Sequence, residues 1–187
     1  MSDRRAGTAV AVFGSSEPGE GEPLYALARR LGALLADTGH LVVTGGYGGV
    51  MEAACRGASE AGGRTLGVTC AIFSGRTPNG YLLESVETRD LHDRTRELIA
   101  RSDAFVVLSG KSGTLAELTF LWALHRAGCL DRRPVVLVGD EWRHLLRHLL
   151  RAGILEGPEF DVTQVVDTPE EAVDAVNLKI GNGRANG

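Results

Sequence analysis

The chain has 187 residues, enough for one domain whose hydrophobic core needs neither disulfides nor a metal ion. Its formal net charge of −4 argues against the broad basic face that binds nucleic acid polymers or anionic membranes. Three widely spaced cysteines, Cys55, Cys70 and Cys129, argue against a disulfide framework and a thiolate metal site. With no signal-like or membrane-spanning apolar run, we expect a cytoplasmic protein without a membrane partner.

Strand-like and helix-like segments alternate along the chain. Apolar runs predict buried strands at residues 8–13, 41–44, 104–108 and 135–138, with a weaker strand at 64–68. Helical periodicity occurs at residues 24–37, 50–61, 91–101, 115–127 and 141–152. This alternation predicts an α/β fold, a three-layer sandwich with a central parallel sheet and helices on both faces.

The rest of the chain fits one domain. We expect that domain to span residues 1–180, followed by a disordered tail at 181–187, which is rich in glycine and asparagine. Residues 70–84 form the longest irregular stretch and are a candidate lid over a ligand crevice.

Three predicted strands end in glycine- and serine-rich turns that lead into helices. The residues of these turns are Gly14, Ser15 and Ser16; Gly45, Gly46, Gly48 and Gly49; and Gly110, Lys111, Ser112, Gly113 and Thr114. Glycines can simply permit tight turns. Three such turns at the carboxyl edge of one parallel sheet instead favour a ligand site, since they offer backbone N–H groups and helix N-termini to a phosphate.

Two common nucleotide motifs are absent from these turns. Gly110-Lys111-Ser112 resembles the end of a triphosphate-binding loop, but the glycine required five positions earlier is Phe105, inside an apolar run. The first turn also lacks Gly-x-Gly-x-x-Gly, so NAD is not expected. The turns therefore predict a site for a smaller phosphorylated ligand.

Glu117 and Arg94 each have a functional and a structural interpretation. Thr114 and Glu117 have the spacing of a capping box, but a carboxylate one turn into this helix would also lie beside a bound ligand. Arg94 could belong to a solvated helix end, and composition makes Arg89, Arg96 and Arg101 equally plausible. His144 and His148 have the spacing of paired metal ligands but lack a third ligand, so no metal site is expected.

Several motifs together resemble the Lonely-guy (LOG) family. They are Gly14-Ser15-Ser16, Gly45-Gly46-Tyr-Gly-Gly-Val-Met51, Arg94 and Gly113-Thr114-Leu-Ala-Glu117, within a resemblance that covers roughly residues 9–150. The resemblance implies a Rossmann-like fold, a homodimer, and hydrolysis of the N-glycosidic bond of cytokinin nucleoside 5′-monophosphates or AMP without a cofactor. It assigns catalysis to Arg94 and Glu117, and ligand binding to the glycine turns and Met51.

The chain departs from the family pattern at two places. Ser109-Gly110-Lys111 replaces the usual Pro-Gly-Gly, so the ammonium group of Lys111 is expected either to reach the phosphate or to obstruct its approach. Thr95 follows Arg94 where a lysine is common.

The resulting expectation is an enzyme that hydrolyses a purine nucleoside 5′-monophosphate, with adenine or an N6-modified adenine among the candidate bases. A neighbouring branch with similar glycine motifs includes molybdenum-cofactor carriers, so a binding protein without turnover is the alternative. The sequence does not identify the base.

Overall fold

The computed structural model describes residues 8–185, with side chains described for residues 8–180. Its strands are β1 (Ala9–Phe13), β2 (Leu41–Thr44), β3 (Arg64–Cys70), β4 (Glu84–Thr88), β5 (Ala104–Val107), β6 (Val135–Val138) and β7 (Thr163–Val166). Its helices are α1 (Pro23–Asp37), α2 (Val50–Glu60), α3 (Leu91–Ala100), α4 (Ser112–Arg126), α5 (Asp140–Arg151), α6 (Gly157–Val162) and α7 (Pro169–Ala185). A 3₁₀ turn covers Ala71–Phe73.

The seven strands form one parallel sheet in the order β4-β3-β2-β1-β5-β6-β7. The order reverses direction between β1 and β5, which is the switch point where such sheets leave a crevice. The predicted central strands and the α/β sandwich are confirmed. Because the sheet is wholly parallel, each crossover carries its helix to one of the two faces.

Two hydrophobic cores, one on each face of the sheet, make the three layers. Helices α1, α2 and α7 pack against the face that includes Val10, Val12 and Val106. Helices α3, α4, α5 and α6 pack against the opposite face, which includes Phe13, Phe105 and Val107. Side chains of successive strand residues point to opposite faces, so the continuous apolar runs supply both cores.

The carboxyl-terminal helix extends further than the sequence pattern indicated. Helix α7 ends at Ala185, so residues 181–185 of the expected disordered tail are helical, and residues 186–187 lie outside the described part of the chain. Extending an existing helix avoids the cost of nucleating a new one, which compensates for the weak helix propensity of glycine and asparagine. Within the described residues, no helix is both long and apolar enough to span a bilayer.

Candidate active site

The three glycine-rich turns contact one another at the carboxyl edge of the sheet. The Leu108 N–H donates to the Phe13 carbonyl at 2.8 Å, and the Ser15 N–H donates to the Ser109 carbonyl at 3.0 Å. On its other side, the Ser15 carbonyl accepts a 2.9 Å hydrogen bond from the Val50 N–H. The first turn is therefore held between the other two by backbone hydrogen bonds.

Several glycines permit this close packing. Gly49 has a φ of +71°, and a Cβ there would lie 2.4 Å from the Ser15 carbonyl oxygen. A Cβ on Gly14 would lie 2.7 Å from Cγ1 of Val50, the first residue of α2. A Cβ on Gly110 would lie 2.2 Å from the Thr114 hydroxyl oxygen. Gly14 and Gly49 thus make room for the first and second turns to pack together, and Gly110 makes room for Thr114 within the third turn, whatever the turns bind.

The joined turns border a cleft of about 290 Å³ at the switch point of the sheet. Ten of the sequence-predicted site residues line it: Gly14, Ser15, Ser16, Gly45, Met51, Arg94, Lys111, Gly113, Thr114 and Glu117. The other five, Gly46, Gly48, Gly49, Gly110 and Ser112, lie in the same turns but do not line the cleft. The sequence motifs thus meet at one site although they are far apart along the chain.

Arg94 is a buried arginine, not part of a solvated helix end. Its side chain comes from α3, its Nε donates to the Val68 carbonyl at 2.9 Å, and its Nη2 donates to the Gly45 carbonyl at 3.1 Å. The residue is only 8% exposed. A Cβ on Gly45 would lie 1.6 Å from Nη2, so glycine at this position makes room for the guanidinium group.

The other arginines of this region lie outside the cleft. Arg89 and Arg96 pair with Asp93, and Arg101 pairs with Glu97, all through exposed arginine side chains. Exposed helix pairs of this kind contribute little to stability. Burial therefore distinguishes Arg94 from the arginines that composition alone could not separate from it.

Glu117 faces Arg94 across the cleft. Its Oε1 lies 3.5 Å from Nη1 of Arg94, and its side chain is 15% exposed. Among the described residues, none donates a hydrogen bond to this carboxylate, so its oxygens are available to a ligand or water. Burial raises the pKa of Glu117 to about 7, although the positive charge of Arg94 opposes this shift.

The capping interpretation of Glu117 is wrong. Helix α4 begins at Ser112, its N-cap residue is Lys111, and no N-cap side chain makes a capping hydrogen bond. Glu117 thus lies in the second turn, too far along the helix to close a capping box. The first N–H groups of α4 remain without a capping side chain beside the cleft.

Lys111 occupies its position without backbone strain. Its φ of −104° is accessible to any residue, so the glycine usual in the family is not needed for this turn. Its ammonium group lies 2.7 Å from Oε1 of Glu17, and both side chains are exposed at the mouth of the cleft. Glu17 was not singled out by the sequence patterns, because a lone glutamate carries no motif.

The sequence patterns also missed an aromatic wall. This wall consists of Tyr47 and Phe73, and Arg76 lines the cleft beside it; Phe73 and Arg76 come from the stretch expected to be a lid. Two hydrogen bonds connect that stretch to Tyr47 of the second turn. The Tyr47 hydroxyl donates to the Cys70 carbonyl at 3.1 Å, and the Asn79 side-chain amide donates to the Tyr47 carbonyl at 3.1 Å. The one sequence feature that could have indicated these residues was their position, because residues 71–76 directly follow β3, which ends at the same edge of the sheet as the turns.

Comparisons with known proteins identify the family of this chain. The SLOG cluster4 family model matches residues 7–149. A cytokinin riboside 5′-monophosphate phosphoribohydrolase of Mycobacterium tuberculosis is 34% identical over 89% of this chain and 91% of its own length. A probable enzyme of the same name from Oryza sativa is 32% identical over 79% of this chain and 65% of its own length.

Solved structures share the fold as well. The molybdenum cofactor binding protein of the phototrophic bacterium Rippkaea orientalis superposes with a TM-score of 0.73 at 25% identity. The alignment covers 93% of this chain and 98% of that one. The resemblance to the LOG family is confirmed, and the alternative of a cofactor carrier also has a structural counterpart.

Proposed function

The chain belongs to the SLOG cluster4 family, and from that membership we propose that it hydrolyses the N-glycosidic bond of a purine nucleoside 5′-monophosphate. The products are the free base and ribose 5-phosphate. The observation that carries the proposal is the Arg94–Glu117 pair, largely buried in a cleft beside an uncapped helix N-terminus.

The amino end of α4 suits the 5′-phosphate. Its first N–H groups carry partial positive charge and no capping side chain, which is the arrangement that binds phosphate in many proteins. A Cβ at Gly113 would contact nothing within 4 Å, so the backbone beside the cleft is open to a ligand. Ser15 and Ser16 border the same space.

Glu117 suits the reacting sugar. As the bond from C1′ to the base nitrogen breaks, its electron pair leaves with the base and positive charge develops on the sugar. A nearby carboxylate stabilises that charge and takes a proton from the attacking water, whose oxygen bonds to C1′. The proton taken by Glu117 then passes to the base nitrogen, which restores the carboxylate, and the other water proton stays on the new C1′ hydroxyl. Arg94 holds the carboxylate in place and favours its ionised form.

The same cleft also suits binding without turnover, as expected of a carrier. That alternative is supported by the likeness to the molybdenum cofactor binding protein. Incubating the purified protein with AMP, isopentenyl-AMP, GMP, CMP and UMP, and measuring free base and ribose 5-phosphate by chromatography, tests both. Release from a purine nucleotide supports the hydrolase. Ligand-induced thermal stabilisation without release from any of them supports the carrier.

The pH dependence of the reaction is the first prediction. Because the ionised form of Glu117 is the proposed base, kcat/KM is expected to rise with pH and level off above about 7. The substrate phosphate ionises near pH 6, so its titration adds a second inflection. In Glu117→Gln the inflection near 7 should disappear and the phosphate inflection should remain. An unchanged profile would exclude Glu117 as the base.

We further propose that the protein is a homodimer joined through α4. This helix is apolar on both sides: Leu118, Leu121 and Trp122 face the core, while Leu115 and Phe120 are 38% and 44% exposed. Large apolar side chains clustered on an exposed helix surface are typical of protein–protein contacts. The exposed side also includes Ala116, which lines the cleft, so a second copy here would lie beside the site.

Phe120→Asp is expected to convert the dimer into a monomer, because it places a charge on the apolar surface. Sedimentation equilibrium measures the change from twice the 19.8 kDa chain mass to that mass. Leu178→Asp is the matched control, since Leu178 is 68% exposed on α7, at the opposite face of the sheet. A wild-type protein that stays monomeric at high concentration would contradict this proposal.

A further inference from the structure

Arg76 differs from the other charged side chains that line the cleft. Lys111 pairs with Glu17, and Arg94 pairs with Glu117. Within residues 8–180, whose side chains the structure describes, Arg76 makes no ion pair and its guanidinium group donates no hydrogen bond. The cleft therefore contains one cation whose charge is not neutralised by a protein carboxylate.

The exposed Arg76 side chain stacks on one aromatic ring, which is itself fixed by its neighbours. Its guanidinium carbon lies 5.0 Å from the ring centroid of Phe73, and that ring packs edge-on against Tyr47 at 5.6 Å. Tyr47 is fixed in turn, because its hydroxyl group donates to the Cys70 carbonyl and accepts from the Cys70 N–H at 2.9 Å. A guanidinium stacked in this way keeps its N–H edges free for a planar acceptor.

Topology places Arg76 at the opposite end of the cleft from the proposed phosphate site. Arg76 follows β3, whereas α4 follows β5, and β2 and β1 lie between these two strands. With neighbouring strands about 4.8 Å apart, β3 and β5 are separated by about 14 Å. Tyr47 also lies 5.9 Å from the guanidinium carbon of Arg94, so the aromatic wall runs from the Arg94–Glu117 pair toward Arg76.

A nucleotide with its phosphate at α4 and its C1′ beside Glu117 would extend its base along this wall. We propose that Arg76 binds the base and selects a 6-oxopurine, as in IMP or GMP, over adenine. This inference rests on the proposed function, because it takes the orientation of the ligand from it. The guanidinium fork donates two parallel hydrogen bonds, and a 6-oxopurine offers the adjacent acceptors O6 and N7.

Adenine fits the fork less well. It presents an amino group at position 6 beside N7, so one donor of Arg76 would face another donor. An N6-modified adenine also presents a donor at position 6, and its substituent occupies additional space. Arg76 thus favours a 6-oxopurine, whereas the names of the curated relatives suggest a cytokinin base.

The test measures binding, so it does not depend on turnover. In a Glu117→Gln background, calorimetry gives the Kd of IMP, AMP and ribose 5-phosphate, with and without Arg76→Ala. We expect IMP to bind about 10-fold or more tightly than AMP, and Arg76→Ala to remove that preference. AMP and ribose 5-phosphate should change by less than about threefold, since neither uses both donors.

Two further variants distinguish the effect of the planar guanidinium group from the effect of its positive charge. Arg76→Lys keeps the positive charge but lacks the planar pair of donors, so it should weaken the IMP preference without abolishing it, unlike Arg76→Ala. Arg151→Ala removes an exposed arginine of α5 that does not line the cleft, and it should change neither Kd.

Three results would overturn the inference. The first is equal affinity for IMP and AMP in the Glu117→Gln parent. The second is an equal loss of affinity for IMP and for AMP in Arg76→Ala. The third is binding of ribose 5-phosphate that is weaker by more than about threefold in Arg76→Ala. The last result would show that Arg76 binds phosphate. None of them would refute hydrolysis, which the release of base by the wild-type protein measures separately.

Discussion

Glu117→Gln is expected to lower the rate of base release at least about 100-fold, while the protein still folds and binds nucleotide. Glutamine has nearly the same shape, but it neither carries the negative charge that stabilises the developing cation nor accepts a proton from water. The measurement is kcat at saturating substrate, with circular dichroism and nucleotide binding to show that the site remains formed.

The same variant has a predictable effect on stability. Burial raises the pKa of Glu117 to about 7 in the folded protein, above its value in the unfolded chain. Wild-type stability therefore declines as pH rises from the unfolded-state pKa to about 7, since the folded protein resists losing this proton. Glu117→Gln lacks this decline, so its unfolding temperature relative to wild type should increase between pH 5 and pH 8.

Glu87→Gln is the control for both measurements, because Glu87 is an exposed glutamate of edge strand β4 that does not line the cleft. It should leave kcat and the pH dependence of stability unchanged. Wild-type turnover in Glu117→Gln would refute the proposed mechanism.

Gly45→Ala is expected to reduce kcat/KM at least about 10-fold through displacement of Arg94. The added Cβ would lie 1.6 Å from Nη2 of Arg94 and 2.6 Å from the sulfur of Met51, so these side chains must move. Moving Arg94 breaks its hydrogen bonds to the Val68 and Gly45 carbonyls and separates it from Glu117. We expect a loss of about 1–3 kcal/mol in the free energy of unfolding, as for other overpacked sites.

Gly48→Ala provides the matched comparison within the same turn. A Cβ there would make contacts of 3.8 and 3.9 Å, and the φ of Gly48 is not positive, so its free energy of unfolding should remain near wild type. With Arg94 displaced in Gly45→Ala, the pKa of Glu117 should also rise further, which the pH profile of kcat/KM would show. A Gly45→Ala protein as stable and active as wild type would contradict the account of Arg94.

The central strands could be predicted from sequence because both of their faces are buried. Strands such as Ala104–Val107 and Val135–Val138 are buried at every residue and read as continuous apolar runs. The edge strands Glu84–Thr88 and Thr163–Val166 were missed, since most of their residues are partly or fully exposed and they include polar side chains. Pairing with one neighbour, not local hydrophobicity, places these edge strands in the sheet.

The sequence predicted candidate site residues only where they belong to a local motif. The glycine-rich turns indicated the end of the cleft where we propose that phosphate binds, and the family motif singled out Arg94 and Glu117. By contrast, the packing of Gly45 beneath Arg94 and the stacking of Arg76 on Phe73 join segments that are distant in sequence. No local pattern records such contacts, so their roles could be read only from the folded chain.

The most direct test of hydrolysis is the number of base molecules released per molecule of protein from the preferred nucleotide of the panel. The proposed mechanism predicts that the wild-type protein releases base and ribose 5-phosphate in equal amounts and in large molar excess over itself, and that Glu117→Gln does not. Saturable binding of nucleotide with no release of base by the wild-type protein would contradict it and identify the cleft as a binding site.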